Sequence, residues 1–306
     1  MNVALPEVLV IFGPTASGKT GAAIAVAKLR DGEVINADSR QIYARMPILT
    51  AAPSAAEKGE IPHHLFEFLD PAERMSAARW AEMALGVIAE VLARGKTPIV
   101  VGGTGLYLRT LMEGLSEVPH VPPEVEEFYR GRPVEELYEE LQVCDPALAA
   151  KLHPSDTQRI TRGLVVNTHT GTPLSVWQAK PASAPPYVFR RLAISPPRDE
   201  LYARIETRWQ VMNDMGMVEE VRALKEAGYT LEMPGLQGLG AEEIYDVLDG
   251  TLSWEAASHS AVQGTRHYAK RQVTWLRNSY GAERVFENPG ELVAWVQSSK
   301  MAEEIA

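Results

Sequence analysis

Several short runs in this 306-residue chain contain residue types that could do chemistry. Gly13, Pro14, Thr15, Ala16, Ser17, Gly18, Lys19 and Thr20 spell GPTASGKT, which fits G-x-x-x-x-G-K-[ST] at every fixed position. Two glycines let a backbone curl so that successive N–H groups face inward, and a helix that follows adds its positive end. Lys19 supplies a point charge for a terminal phosphate, and the Thr20 hydroxyl is a ligand for Mg²⁺ bridging phosphate oxygens. The run therefore reads as a cradle for a di- or triphosphate. It does not by itself separate an ATPase, a kinase and a prenyl diphosphate enzyme.

Asp38, in NADSRQIY, offers a carboxylate that could hold Mg²⁺ through water or take a proton from a substrate; capping a helix together with Ser39 is the structural reading. Gly102 to Leu108, GGTGLYL, combines glycines for close backbone approach with the Thr104 hydroxyl, and equally suits a tight strand-to-helix turn. His63-His64 reads as a structural pair rather than a metal site, because adjacent side chains face two directions. TRHYAKRQVTWLR, Thr265 to Arg277, carries Arg266, Lys270, Arg271, Arg277 and His267 without an acid. Helical spacing gathers these charges near one face, which suits phosphate or nucleic acid. Gln158, Arg159, Ile160, Thr161 and Arg162 form a second basic cluster, with both arginines on one side of a helix.

These residues need a frame. Apolar runs at Glu7–Phe12, Glu33–Asn36, Thr97–Val101 and Phe189–Ile194 predict strands, and helical periodicity covers Lys19–Arg30 and Ser76–Arg94. Strands alternating with helices imply an α/β fold with a mostly parallel sheet, whose ligands sit beyond the strands' carboxyl ends. Glu124 to Glu140 holds seven glutamates against Arg130 and Arg132, which suggests one or two exposed, inserted helices. The Pro-rich stretch 181–186 reads as a linker, and the chain is helical almost throughout from Leu201, with a break near Met233 to Gly240.

A formal net charge of −10 excludes nucleic-acid binding through bulk charge and requires a local basic patch for any such partner. The single cysteine, Cys144, forms neither an internal disulfide nor a cysteine-based zinc site. With no signal-like segment and no run long enough to span a bilayer, the expected compartment is the cytoplasm, with no membrane association.

Taken together, GPTASGKT, INADSRQIY, IPHHLFEFLDPAERMSAARW, VGGTGLYLRTL, HPSDTQRITRGL and TRHYAKRQVTWLR follow in the order found in the tRNA dimethylallyltransferase (tRNA isopentenyltransferase) family, which the chain resembles from about Val8 to Arg277. The resemblance implies a P-loop kinase-like α/β core, here 1–118 and 186–306, with an inserted helical tRNA-binding region at 119–185. It implies a monomeric enzyme that moves a dimethylallyl group from dimethylallyl diphosphate to N6 of the adenosine 3′-adjacent to the anticodon, in tRNAs reading codons that start with U. The partners would be that diphosphate and the tRNA anticodon stem-loop, with Mg²⁺ as cofactor, held at Thr20.

By the same resemblance, Asp38 is the general base and Thr104 and Lys19 act at the reacting groups. Asp38, Ser39, Arg40, Gln41 and Thr104 hold the target base. Gln158 to Arg162, together with Arg266, Lys270 and Arg271, contact tRNA. The sequence departs from the family pattern at Ala52, where a lysine is usual, and at Ala241 and Glu242 in LGAEE. Two other readings remain open: an isopentenyltransferase acting on free AMP, ADP or ATP, and a P-loop small-molecule kinase. The inserted helices and the basic C-terminal helix favour tRNA.

Overall fold

The computed structural model describes residues 5–305 except 60, 115–117, 120, 181–183, 239 and 280. The elements run β1 (Glu7–Phe12), α1 (Lys19–Arg30), β2 (Gly32–Asn36), α2 (Pro47–Thr50), α3 (Ala55–Lys58), β3 (His63–His64), α4 (Ala77–Ala93), β4 (Thr97–Gly102) and α5 (Gly105–Glu113). Five helices follow: α6 (Pro123–Tyr129), α7 (Val134–Cys144), α8 (Pro146–Ala149), α9 (Thr157–Thr170) and α10 (Leu174–Ala179). The chain then returns through β5 (Val188–Ile194), α11 (Arg198–Asp214), α12 (Met217–Glu226), α13 (Ala241–Leu248), α14 (Trp254–Ser279), β6 (Arg284–Phe286) and α15 (Pro289–Ile305).

Among the described residues, six strands form one parallel sheet in the order β3-β2-β4-β1-β5-β6. A parallel sheet needs cover on both faces, and the strands are accordingly apolar on both. Val8, Val10 and Phe12 of β1 face one core with Trp80 and Ile88 of α4 and Leu108 of α5. Ile11, between them, faces a second core with Ala23 and Val26 of α1 and Leu292 and Val296 of α15. The register sets Asn36 of β2 beside Val101 of β4, and Phe12 of β1 beside Gly102 of β4. Three adjacent strands therefore end level with one another, and the segments beginning at Gly13, Ala37 and Gly103 leave the sheet on one edge.

The chain divides into two compact units, one of residues 1–112 and 186–306 and the other Glu113–Pro185. Among its described residues, the regular structure of the second unit is all helical. Its own core joins Tyr129 of α6, Leu137 and Leu141 of α7, Leu148 of α8 and Ile160 and Leu164 of α9. The glutamate-rich stretch forms two largely exposed helices, as expected, anchored to this core by the few buried residues Tyr129, Leu137 and Leu141. The Pro-rich stretch lies partly outside the described residues, as does Leu239. Among the described residues, no helix is long and apolar enough to cross a membrane.

Candidate functional site

Each of the three segments that leave the sheet edge brings one group. After β1, the loop from Gly13 turns into α1 through two left-handed residues, Ala16 (φ 61°) and Gly18 (φ 84°). That bend directs main-chain N–H groups inward at the helix start. Gly18 faces Pro289 so closely that a Cβ would overlap the proline ring. Gly13 and Pro14 are buried at the base of the loop, and Ser17 is fully buried with its hydroxyl unpaired. Lys19 donates to the Pro14 carbonyl at 3.2 Å. Burial lowers its pKa to about 8; the Asp38 charge opposes the fall and Arg208 adds to it.

After β2, the Asn36 side chain shapes the turn that carries Asp38. It accepts from the Asp38 N–H at 2.8 Å and donates to the Asp38 and Leu65 carbonyls at 3.1 and 2.9 Å. One carboxylate oxygen of Asp38 accepts the Arg40 N–H at 2.9 Å, which leaves the other free of that turn. After β4, Gly102 passes so close to Ala37 that any Cβ would overlap its carbonyl. The Thr104 hydroxyl accepts the Ser39 N–H at 2.8 Å and donates to the Ser39 hydroxyl at 3.2 Å. Asp38 and Thr104 are thus fixed to one another through Ser39.

Two cavities meet at Asp38. One, of about 370 Å³, is lined by Thr15, Ala16, Gly18, Lys19 and Thr20 together with Arg204 and Arg208 of α11. The other, of about 690 Å³, has mainly apolar walls, including Trp209, Leu236 and Val262, with Ser39, Arg40, Tyr268 and Arg271 beside them. Asp38 lines both. Burial pushes the Tyr268 hydroxyl up to about 12, and the Asp38 charge adds to the rise; Tyr268 stays a neutral donor.

Other expected residues fall in varied places. Arg40 is clipped to the carbonyls of Pro234 (3.3 Å) and Gly235, so its guanidinium braces the wall of the larger cavity. The Gln41 amide donates to the Ala51 carbonyl at 2.9 Å and borders the smaller cavity. It therefore steadies the segment after α2 rather than facing the larger cavity. On α9, Gln158, Arg159 and Arg162 are exposed and Thr161 is half-buried, but Ile160 is fully buried in the unit's core; its side chain has no surface for RNA. On α14, His267, Lys270 and Arg271 share a groove with Thr274 and Trp275. Arg266 turns away from it to pair with Glu206 of α11 at 2.9 Å. His63 and His64 form the edge strand β3, with His64 Nε2 2.6 Å from the Glu33 carboxylate.

Sequence reasoning missed Arg204 and Arg208. Arg208 reaches the Thr15 hydroxyl at 3.5 Å and the Ala51 carbonyl at 3.4 Å. It places a buried cation in the cavity where Ala52 leaves no lysine. The only signal was their i, i+4 spacing on a helix with no recognised motif. Gln272, on the inner face of α14, was also missed.

A strand–loop–helix turn of P-loop sequence, with a carboxylate and a threonine on neighbouring strand ends, defines a P-loop kinase-like α/β protein. The sequence profile of the IPP transferase family matches residues 41–279, and that of isopentenyl transferases matches residues 6–62. The chain is 45% identical to a tRNA dimethylallyltransferase of Rhodospirillum centenum, over 94% of this chain and 93% of that one. It is 44% identical to one from Myxococcus xanthus, over 90% and 91%. Among solved structures, the tRNA isopentenylpyrophosphate transferase of Bacillus halodurans superposes with a TM-score of 0.70 at 32% identity, covering 98% of this chain and 99% of that one. A eukaryotic dimethylallyltransferase acting on tRNA superposes with a TM-score of 0.81 at 29% identity, covering 97% and 77%. The chain belongs to the IPP transferase family.

Proposed function

We propose that the protein transfers a dimethylallyl group from dimethylallyl diphosphate to N6 of the adenosine 3′-adjacent to the anticodon, in tRNAs that read codons starting with U. The observation that carries this reading is the position of Asp38 on the wall shared by a cationic phosphate cavity and a larger, mainly apolar one. A donor diphosphate in the first and an adenine in the second would meet at that carboxylate. Adenine N6 is a weak nucleophile because its lone pair is delocalised into the ring. Asp38 takes an N6 proton as the C–N bond forms, and the allylic C–O bond breaks with its electron pair leaving on the diphosphate. Such a base contributes ~10²–10⁴-fold. Loop N–H groups, Lys19 and Arg208 stabilise the departing charge in a site already organised to receive it.

Among the described residues, no group of three or more His, Cys, Asp or Glu side chains could hold a metal unaided. The oxygen donors bordering the phosphate cavity, Thr20 and Asp38, fit Mg²⁺, a hard cation that takes its remaining ligands from phosphate and water. Mg²⁺ held at Thr20 would add charge against the leaving diphosphate. A base stacked in an anticodon loop must be turned out to reach Asp38. Lys270 and Arg271, exposed on α14, are proposed to contact the tRNA while it does so. Gln158, Arg159 and Arg162, exposed on α9, are proposed as further tRNA contacts. The enzyme is proposed to work as a cytoplasmic monomer.

The test is incubation with radiolabelled dimethylallyl diphosphate and either tRNA or AMP. Label in tRNA alone supports the proposal. Label in AMP alone would assign an adenylate isopentenyltransferase, and label in neither would sink both.

A further inference from the structure

We infer that Gln272 is a positioning residue that locks the phosphate loop to the Thr104 turn and so sets the distance between the leaving diphosphate and the attacking base. The inference rests on the transfer reaction proposed above. The ladder between β1 and β4 ends at Phe12 and Gly102. Beyond it, the loop after β1 and the turn after β4 leave the sheet as irregular backbone, and any error in their separation passes directly to the reacting groups. Gln272, 8% exposed, reaches in from α14. Its Oε1 accepts the Thr15 N–H at 2.8 Å, and its Nε2 donates to the Gly103 carbonyl at 2.9 Å. Only this orientation of the amide satisfies both partners.

Gly103 is shaped for the contact. A Cβ there would lie 2.5 Å from Gln272 Nε2 and 2.9 Å from the Gly13 carbonyl. The same helix presses Trp275 against Gly105, one step further along the turn, so closely that a Cβ would again collide. The helix thus holds the Thr104 turn at two points and the phosphate loop at one, and Lys270 and Arg271, just before Gln272, border its surface groove. Gln272 lines neither cavity, so its effect on transfer must pass through the two segments it joins.

The experiment compares native enzyme with Gln272→Met and Gln272→Glu. The methionine keeps the volume and removes both hydrogen bonds. Misplacement of reacting groups by about 1 Å costs up to ~10²-fold; kcat for tRNA is expected to fall about tenfold or more, with both KM values, pyrophosphate affinity and the melting temperature close to native. The glutamate, when ionised, cannot donate to Gly103; when protonated, it restores the donor. Its kcat relative to native should therefore recover as pH falls from about 7 towards 5. A Gln272→Met kcat within twofold of native would overturn the inference. So would a loss matched by a lowered melting temperature, or a flat Gln272→Glu ratio across pH. An inactive native enzyme would instead refute the transfer reaction, and the inference with it.

Discussion

In the proposed reaction Asp38 and Lys19 carry different parts of the chemistry and should fail differently. The Asp38 turn is held by Asn36 and by main-chain bonds that do not need its second carboxylate oxygen. Asp38→Asn keeps the acceptor for the Arg40 N–H but cannot take a proton. Transfer should fall by at least ~10²-fold, with tRNA affinity near native by filter binding; near-native turnover would remove Asp38 as the base. Burial, above all, lowers the Lys19 pKa to about 8. A bound diphosphate favours its charged form and raises that value. Below about pH 8 the lysine is already protonated and binding takes up no proton; above it, binding must import one, and affinity falls by up to about tenfold per pH unit. Pyrophosphate calorimetry in buffers of different ionisation enthalpy should show this uptake above about pH 8, and Lys19→Met should abolish it. Equal uptake by both proteins would show that Lys19 does not meet the phosphate.

The sheet is what makes these residues neighbours, and one close joint lies where the end of β4 meets Ala37, just after β2. Gly102 of β4 leaves no room for a Cβ against the Ala37 backbone, and neither side is a flexible side chain that could move aside. Gly102→Ala should cost at least about 2 kcal/mol, read as a lowered denaturant midpoint; an unchanged midpoint would mean that the two turns are less closely packed. Much of this frame was legible in the residues. The strands β1, β2, β4 and β5 are apolar runs closed by turn residues, and the phosphate loop announces itself through fixed spacing. What stayed hidden has no local signature. β3 is two histidines, and β6 is three residues paired only to β5. Ala16 takes a left-handed conformation that its residue type does not advertise. Arg208 and Gln272 lie 193 and 257 residues from Thr15 of the loop they contact, on helices whose surface pattern says nothing about which inner residue meets which loop. Ile160 was grouped with its basic neighbours by position in the chain, although helical periodicity turns it into the core.

At the scale of the whole molecule, the question is how a chain of net charge −10 holds a polyanion. Long-range charge opposes the encounter, so affinity must come from short-range contacts that survive screening. The structure concentrates cations in two places: Lys19, Arg204 and Arg208 around one cavity, and Lys270 and Arg271 along one groove of α14. Other basic residues are already committed, as Arg266 is to Glu206 and Arg94 to Glu33. Lys270 and Arg271 are exposed, and each neutralises a phosphate on binding and releases condensed counterions. Replacing both by glutamine should weaken tRNA binding and reduce the slope of log K against log salt by roughly 1 to 2, at about 0.7–0.9 per contact. Lys270→Gln alone should change transfer at saturating tRNA little, because Lys270 borders neither cavity, whereas Arg271 lines the larger one. An unaltered slope would place the RNA on another surface and leave the α14 groove without a role in binding it.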